Sequence, residues 1–280
     1  MAARKVFYVF PGQGSQYKGM GSDLVREFES AREIYARASA IVGYDLAKLS
    51  FEDPENKLAQ TRYTQPALLT HEIACLTVLR DLGGAAAAPL VPAGPPPPRA
   101  HADKHYCGIG GCNLPEQTVN AGEAADLDAL LEDLAKPHPG KRGIKLNTEG
   151  AFHTYYMITA ALKFRETLRN TEFRKISVEV LSNYTGKPHV DDPDSIRSRL
   201  FFQLFHTVRW VGCMNTAIDA GIDSVVELGG GIGKGDGPED KRPNLESIVK
   251  KSLKARQREA QYLAAINAAG IRAAAEQLSK

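Results

Sequence analysis

The chain has 280 residues, 43% hydrophobic and 24% charged, with 35 Lys and Arg against 33 Asp and Glu. That is the profile of a globular chain with room for one or two domains, and a formal charge of +2 without a long basic run argues against a nucleic-acid partner. The apolar run Val6 to Phe10 is cut by Pro11-Gly12 and is too short for a signal or membrane-spanning segment, so no membrane partner and a cytoplasmic location are expected. Cys75, Cys107, Cys112 and Cys213 include no C-x-x-C pair and read as free thiols.

Lys5 to Phe10 predicts a strand that ends in the glycine-rich loop Pro11-Gly-Gln-Gly-Ser-Gln16, a natural site position at the carboxyl end of an open α/β sheet. Apolar residues at spacings of three and four predict one helix from Asp23 to about Val42. Thr64-Gln-Pro66 offers a cap and an early-turn proline for a helix to about Leu82, with Leu68, Leu69, Ile73, Leu76 and Leu79 on its buried side. Gly83 to Ala100 then holds six prolines among Ala and Gly and reads as a linker. Beyond it, Tyr106–Asn113 and Gln117–Ala121 read as strands, Ala124–Ala135 as a helix and Gly143–Leu146 as a further strand. A helix from about Tyr155 to Leu168, a strand Ile176–Leu181 and helices around Ser195–Phe205 and Val211–Ala220 follow. The strand Ser224–Leu228 leads into a second glycine-rich turn, and Asn244–Leu278 reads as one or two helices, Tyr262, Leu263, Ile266 and Ile271 falling at helical spacing. The alternation of helix and strand predicts an α/β fold with a largely parallel sheet.

Phe7-Tyr-Val-Phe-Pro-Gly-Gln-Gly-Ser-Gln-Tyr-Lys-Gly-Met-Gly21 and Thr64-Gln-Pro-Ala-Leu-Leu-Thr70 carry a resemblance. So do, in the same order, Asn113-Leu-Pro-Glu-Gln117, Gly150-Ala-Phe-His-Thr154, Ser182-Asn-Tyr-Thr-Gly-Lys-Pro188 and Gln203-Leu-Phe-His-Thr-Val-Arg-Trp210. Together they resemble the malonyl-CoA:acyl-carrier-protein transacylases and the related polyketide acyltransferase domains. The resemblance implies an α/β-hydrolase-like large subdomain, residues 1–82 and 148–280, and an inserted, truncated ferredoxin-like small subdomain, residues 105–147. Residues 83–104 are the linker between them. It implies transfer of a malonyl or similar acyl group from acyl-CoA to the phosphopantetheine thiol of a holo acyl carrier protein, in fatty-acid or polyketide synthesis, through an acyl-serine. No metal or other cofactor is implied.

By the same resemblance His153 is the general base and Gln203 helps to orient it, while the backbone N–H of Gln13 is one oxyanion donor. Gly12, Gly14, Phe152 and Asn113 are implied as substrate-binding positions. Phe152 would fill the space that an α-methyl needs and so favours malonyl over methylmalonyl, although Gly150 stands where that signature has a histidine. Standing alone, a histidine at a helix start reads as structural; the motif around His153 changes that reading.

The resemblance also implies a Gly-His-Ser-Leu-Gly elbow soon after the Thr-Gln-Pro helix, and no G-x-S-x-G occurs anywhere in the chain. The arginine that would pair with the malonyl carboxylate is missing with it, as are the first strand and helix of the small subdomain. The Ala/Pro tract stands in their place. Cys112 follows two glycines but lacks the second elbow glycine, and Ser15 has Gln13 and Tyr17 where the elbow needs glycines. His101, His105, Cys107 and Cys112 are metal-ligand types at spacings that fit no standard zinc pattern, and Gly229–Gly235 departs from a phosphate loop at both its first glycine and its final Ser/Thr. Two readings of the gap stand open. One is a transacylase damaged by deletion, with out-of-frame reading of a GC-rich gene producing the tract; the other is a non-catalytic relative that binds a carrier protein or synthase partner.

Overall fold

A computed structural model describes residues 4–84, 107–140, 143–146 and 148–280. Most of the Ala/Pro tract, with His101 and His105, lies outside the described residues. In chain order the elements are β1 (Val6–Val9), α1 (Ser22–Glu27), α2 (Glu29–Val42), α3 (Leu46–Glu52), α4 (Thr61–Asp81), β2 (Gly108–Leu114), β3 (Gln117–Ala121), α5 (Ala124–Ala135) and α6 (Ile158–Asn170). There follow β4 (Leu181–Ser182), β5 (Lys187–Pro188), α7 (Pro193–Gln203), α8 (Trp210–Asp219), β6 (Ser224–Leu228), α9 (Glu246–Ala255), β7 (Gln261–Ala265) and α10 (Ala268–Leu278). Among the described residues no helix is long and apolar enough to cross a membrane.

The chain forms two compact units. The first holds the described residues up to 84 with 222–253 and 257–280; the second holds 107–221 with 254–256. Residues 148–221 therefore group with 107–146 rather than with the N-terminal segment. The reason is local: the Val208 N–H donates to Gly110 O and the Cys112 N–H to Val208 O, each at 2.9 Å, which ties β2 to the start of α8.

The first unit is built on a parallel sheet of order β1-β6-β7, with Val6 opposite Ser224 and Val225 opposite Tyr262. Its core joins Val6, Val226 and Leu228 of the sheet to Leu24, Tyr35, Val78 and Leu79 of the helices, and to Ile271 of α10. Alanines at 74, 268, 274 and 275 are buried there and let α4 and α10 come close to the strands.

Several predicted boundaries are corrected. The single helix from Asp23 breaks at Phe28, which is extended at φ −124° and ψ 127°, giving α1 and α2. Helix α4 begins at Thr61, because the Thr64 hydroxyl turns back to Leu58 O at 2.6 Å instead of capping. Its buried side carries Ala67, Leu68, Ala74, Cys75, Val78 and Leu79, whereas Leu69 and Ile73 are exposed. The C-terminal region contains β7 between its two helices, and Tyr262 donates its hydroxyl to Glu227 there. Gly143–Leu146 forms no strand; Ile144 and Leu146 are exposed with no strand partner among the described residues. Of Ile176–Leu181 only Leu181 is in a strand, because pairing with Lys187–Pro188 extends no further.

The second unit carries the β2–β3 antiparallel hairpin, kinked by two register shifts, with Leu130 of α5 and Cys107 in a small core beneath it. Helix α7 starts on the Asp192 side chain, which accepts from Ser195 N at 2.7 Å, and has Pro193 in its first turn. Helix α8 approaches the β4–β5 turn at Gly212 and Gly186, where a Cβ on Gly186 would lie 3.1 Å from the Gly212 Cα. Only glycine suits that point, since Gly186 also has φ +68°.

Candidate active site

In the first unit the predicted loop follows β1 at the carboxyl end of the parallel sheet. Ser15 is fully buried, and its hydroxyl donates to Gly12 O at 2.7 Å. The loop meets the turn after β6: Gly231 N–H donates to Ser15 O at 2.9 Å, and a Cβ on Gly230 would lie 2.6 Å from both Pro11 Cγ and Ser15 Oγ. The Gln13 side chain is held by Thr61 Oγ1 at 3.0 Å and Gln65 Nε2 at 3.3 Å. Space is open where a Cβ would stand on Gly12 or Gly14, and Gly14 has φ +103°. Ser15 is thus a structural serine that joins two loops.

Beside this loop α4 carries two titratable groups pushed in opposite directions by burial. His71 is fully buried and held down at about 4, so it is neutral. Glu72 is raised to about 8 by desolvation, its side chain lying over Gly229, where a Cβ would come within 2.7 Å of Glu72 Cγ. Cys75, 3.7 Å from His71 Nε2, is buried and its thiol is raised by desolvation, which leaves it protonated.

In the second unit His153 follows Phe152 in the turn before α6 and adopts φ +62°, a left-handed conformation uncommon for a residue with a Cβ. Its N–H donates to Leu204 O at 3.2 Å, and its ring Nδ1 lies 2.8 Å from Gln203 O. A carbonyl only accepts, so the proton is assigned to Nδ1, and the Nε2 lone pair is left to take a proton. The Gln203 amide Nε2 is 3.2 Å from both His153 Nδ1 and His206 O. With Nδ1 already a donor, the amide N–H goes to His206 O. Gln203 therefore orients His153 chiefly through its main-chain carbonyl.

Two glycines of β2 make this turn possible. A Cβ on Gly108 would lie 2.6 Å from Thr154 Cγ2, and one on Gly110 would lie 2.9 Å from Phe152 O. Thr154 Oγ1 donates to Ala151 O at 2.6 Å and closes the turn from within. Around the end of α7, Tyr184 stacks on Phe202, and Phe201, Phe205 and His206 meet these rings and one another edge-on or tilted. Asn113 lies on β2, partly exposed, beyond Cys112. The Cys112 thiol is raised by desolvation and is protonated at neutral pH.

The structure thus brings together His153, Gln203 and Phe152, with Asn113 on the strand against which Phe152 rests; Gly12, Gln13 and Gly14 belong to the first unit. Sequence reasoning missed Gly108 and Gly110, for which the alternation Gly108-Ile-Gly within a strand was the available signal. No group of three or more His, Cys, Asp or Glu able to hold a metal occurs among the described residues.

Residues 7–91 match the model of the acyl transferase domain family. The chain is 29% identical over 279 residues to a polyketide biosynthesis malonyl CoA-acyl carrier protein transacylase, BaeC, of Bacillus velezensis, covering 81% of this chain and 93% of the relative. It is 28% identical to the malonyl CoA-acyl carrier protein transacylase of Bacillus subtilis, over 81% and 87% of the two chains. Over these stretches the chain is similar to the acyl transferase family. Its fold is that of solved acyl transferases. The malonyl CoA-acyl carrier protein transacylase of Clostridium perfringens superposes with a TM-score of 0.81 at 25% identity, over 98% of this chain and 97% of the other. A type II polyketide malonyl-transacylase solved in complex with its acyl carrier protein gives 0.82 at 24% identity, over 98% and 99%. These likenesses agree with an α/β fold of two subdomains. The family match ends at residue 91, inside the Ala/Pro tract, and no later Gly-x-Ser-x-Gly follows.

Proposed function

We propose that this chain is a malonyl-CoA:acyl-carrier-protein transacylase relative that keeps the base half of the active site and has lost the acyl-serine step. The observation that carries the reading is the His153 ring, its Nδ1 proton committed to Gln203 O at 2.8 Å and its Nε2 free to accept a proton. In a complete site such a base takes the proton of a serine hydroxyl as that oxygen attacks the acyl-CoA carbonyl. It returns that proton to the CoA sulfur as the thioester C–S bond breaks, then takes the proton of the carrier's pantetheine thiol as the sulfur attacks the acyl-serine, and gives it back to the serine oxygen as that ester bond breaks. Gln13 would supply one oxyanion donor from its backbone N–H, and Phe152 and Asn113 would border the acyl group. The reading calls for no cofactor beyond the CoA of the substrate. With Ser15 spent on Gly12 O and Cys112 a protonated buried thiol, neither replaces the missing serine. Transfer is lost, and affinity for the carrier protein is what remains.

Intact-protein mass spectrometry after incubation with malonyl-CoA, with and without holo acyl carrier protein, tests this. The expected result is an unmodified chain and an unmodified carrier. A malonyl adduct that forms on the wild type, is absent in His153→Ala and passes to the carrier would overturn the proposed loss of transfer, and its mapped position would name the nucleophile.

A further inference from the structure

Helix α4 touches both glycine-rich loops of the first unit. Through its first turns it holds the loop after β1, where the Gln13 side chain donates to Thr61 Oγ1 at 3.0 Å and accepts from Gln65 Nε2 at 3.3 Å. Further along, the helix lies on the turn after β6. Gly229 is so close to it that a Cβ there would be 2.7 Å from Glu72 Cγ, 3.0 Å from Glu72 Cα and 3.2 Å from Glu72 N. With φ +78° at Gly229 and +64° at Gly230, the turn comes back onto the first loop. There Gly230 faces Pro11 and Ser15, and the Gly231 N–H donates to Ser15 O at 2.9 Å. Glu72, the turn at Gly229–Gly231 and the loop from Pro11 to Gln16 are thus in contact one after another.

We infer that Glu72 is a positioning residue that clamps the turn after β6 against the loop carrying the Gln13 backbone N–H, and that release of its proton loosens the clamp. Its part in acyl transfer rests on the reading of Gln13 as an oxyanion donor. The groups around it offer a charge on Glu72 no compensation. His71 and Cys75 neighbour it on α4, α1 brings Asp23 to Cys75, and the first loop brings Tyr17 to Asp23, with Glu239 acting on Tyr17. Beyond the turn, Lys241 gives its ammonium to Gly233 O and Gly235 O and lies over the Tyr17 ring. Burial alone raises the Glu72 carboxyl, to about 8. His71 titrates at about 4, and Cys75 and Tyr17 are pushed up, so Glu72 is the member of this group that changes charge near pH 8. An ionised Glu72 needs water, and it gains water by lifting the turn or by swinging away from it. Either movement frees the Gly231 N–H from Ser15 O and slackens the first loop.

Amide hydrogen exchange of the full chain, read by NMR between pH 5 and 9 and corrected for the exchange of unstructured peptides, tests this in wild type and Glu72→Gln. In wild type the Gly231 amide is expected to be less protected than that of Val226 in the central strand β6. Its protection should fall by up to about tenfold per pH unit towards pH 8 and then level off, because the open form releases a proton that the closed form keeps. In Glu72→Gln it should stay flat. Wild-type protection of Gly231 that does not change with pH overturns the clamp, and so does the same fall in Glu72→Gln. A Gly231 amide as well protected as Val226 also overturns it, since Glu72 would then stabilise the unit as a whole and not the turn. Malonyl-CoA added at pH 6.5 probes the other reading. A shift of the Gln13 amide supports both; a Gln13 amide left unmoved, with the pH dependence of Gly231 intact, overturns Gln13 as an oxyanion donor and leaves the clamp standing.

Discussion

The two units of this chain bury their apolar residues to different degrees. In the first, a parallel sheet shares one core with α4 and α10, and Val226, Leu228, Leu79 and Ile271 are shut away from water. In the second, short two-stranded hairpins share the work with helices, and Ile144, Leu146, Ile158, Leu162, Val178, Val180 and Val190 are all exposed. Alternating α and β elements with small residues at the contacts suffice to close the first unit. The second holds its shape through local devices instead: the Gly186–Gly212 approach, the Asp192 cap and the carbonyl anchors of His153. It is also where His153 and Gln203 sit, so the candidate base stands in the part of the molecule with less buried apolar surface.

The sharpest way to break this contrast is to cut side chains in both units. Leu228→Ala empties a fully buried site between sheet and helices and is expected to cost about 3 kcal/mol in urea unfolding. Leu162→Ala, removing a half-exposed side chain of the second unit, is expected to cost no more than about 0.5 kcal/mol. Equal losses would mean that exposure does not describe how the two units are held.

Next in size is the pH dependence of the first unit. Glu72 rises from 4.5 to about 8 on folding, so the native state keeps a proton that the unfolded chain releases. Its contribution is fully present below pH 4.5 and is lost as pH rises through 8, which makes stability fall across that window. Glu72→Gln is expected to flatten this fall and to gain about 1–3 kcal/mol over the wild type at pH 8 and above. His71, lowered from 6.5 to about 4, acts in the opposite sense: its contribution is lost as pH falls from 6.5 towards 4. Melting curves of both proteins between pH 4 and 9 separate the two effects, and a pH profile unaltered by Glu72→Gln would sink the assignment.

A smaller effect probes the strain in the second unit. His153 at φ +62° holds a conformation that glycine adopts freely. His153→Gly is therefore expected to be about 1 kcal/mol more stable than His153→Ala, by denaturant unfolding, as the mark of a residue kept for chemistry against its backbone preference. Gly110→Ala should move in the other direction, because its Cβ would press on Phe152 O, a main-chain atom that cannot swing aside.

What could be read from the sequence follows the strength of the local signal. Strands β1 and β6 are compact β-branched runs ended by glycine, and they lie where expected. Strand β7, Gln261-Tyr-Leu-Ala-Ala, is diluted by alanine and flanked by helices; it is a strand because β6 offers it a partner, which no local pattern encodes. On α4 the large side chains Leu69 and Ile73 suggested the buried face, yet Ala67, Ala74 and Cys75 take it, since small residues let the helix come close to its neighbours. The candidate site divides in the same way. His153 and Gln203 could be named from their motifs, but the group that fixes the imidazole is a main-chain carbonyl, and its direction depends on the turn after α7 rather than on any side chain.

That distinction gives the smallest and most specific expectation. If the Gln203 carbonyl anchors His153, then Gln203→Ala leaves the anchor in place and removes only the amide bond to His206 O. The variant is expected to lose no more than about 1 kcal/mol, the net worth of one neutral hydrogen bond. Nitrogen-15 NMR of the ring should still report a proton on Nδ1. An Nε2-protonated ring in Gln203→Ala would mean that the side-chain amide, not the carbonyl, sets the tautomer. The base would then depend on the identity of residue 203, as the motif alone implied, and not on the path of the backbone through it.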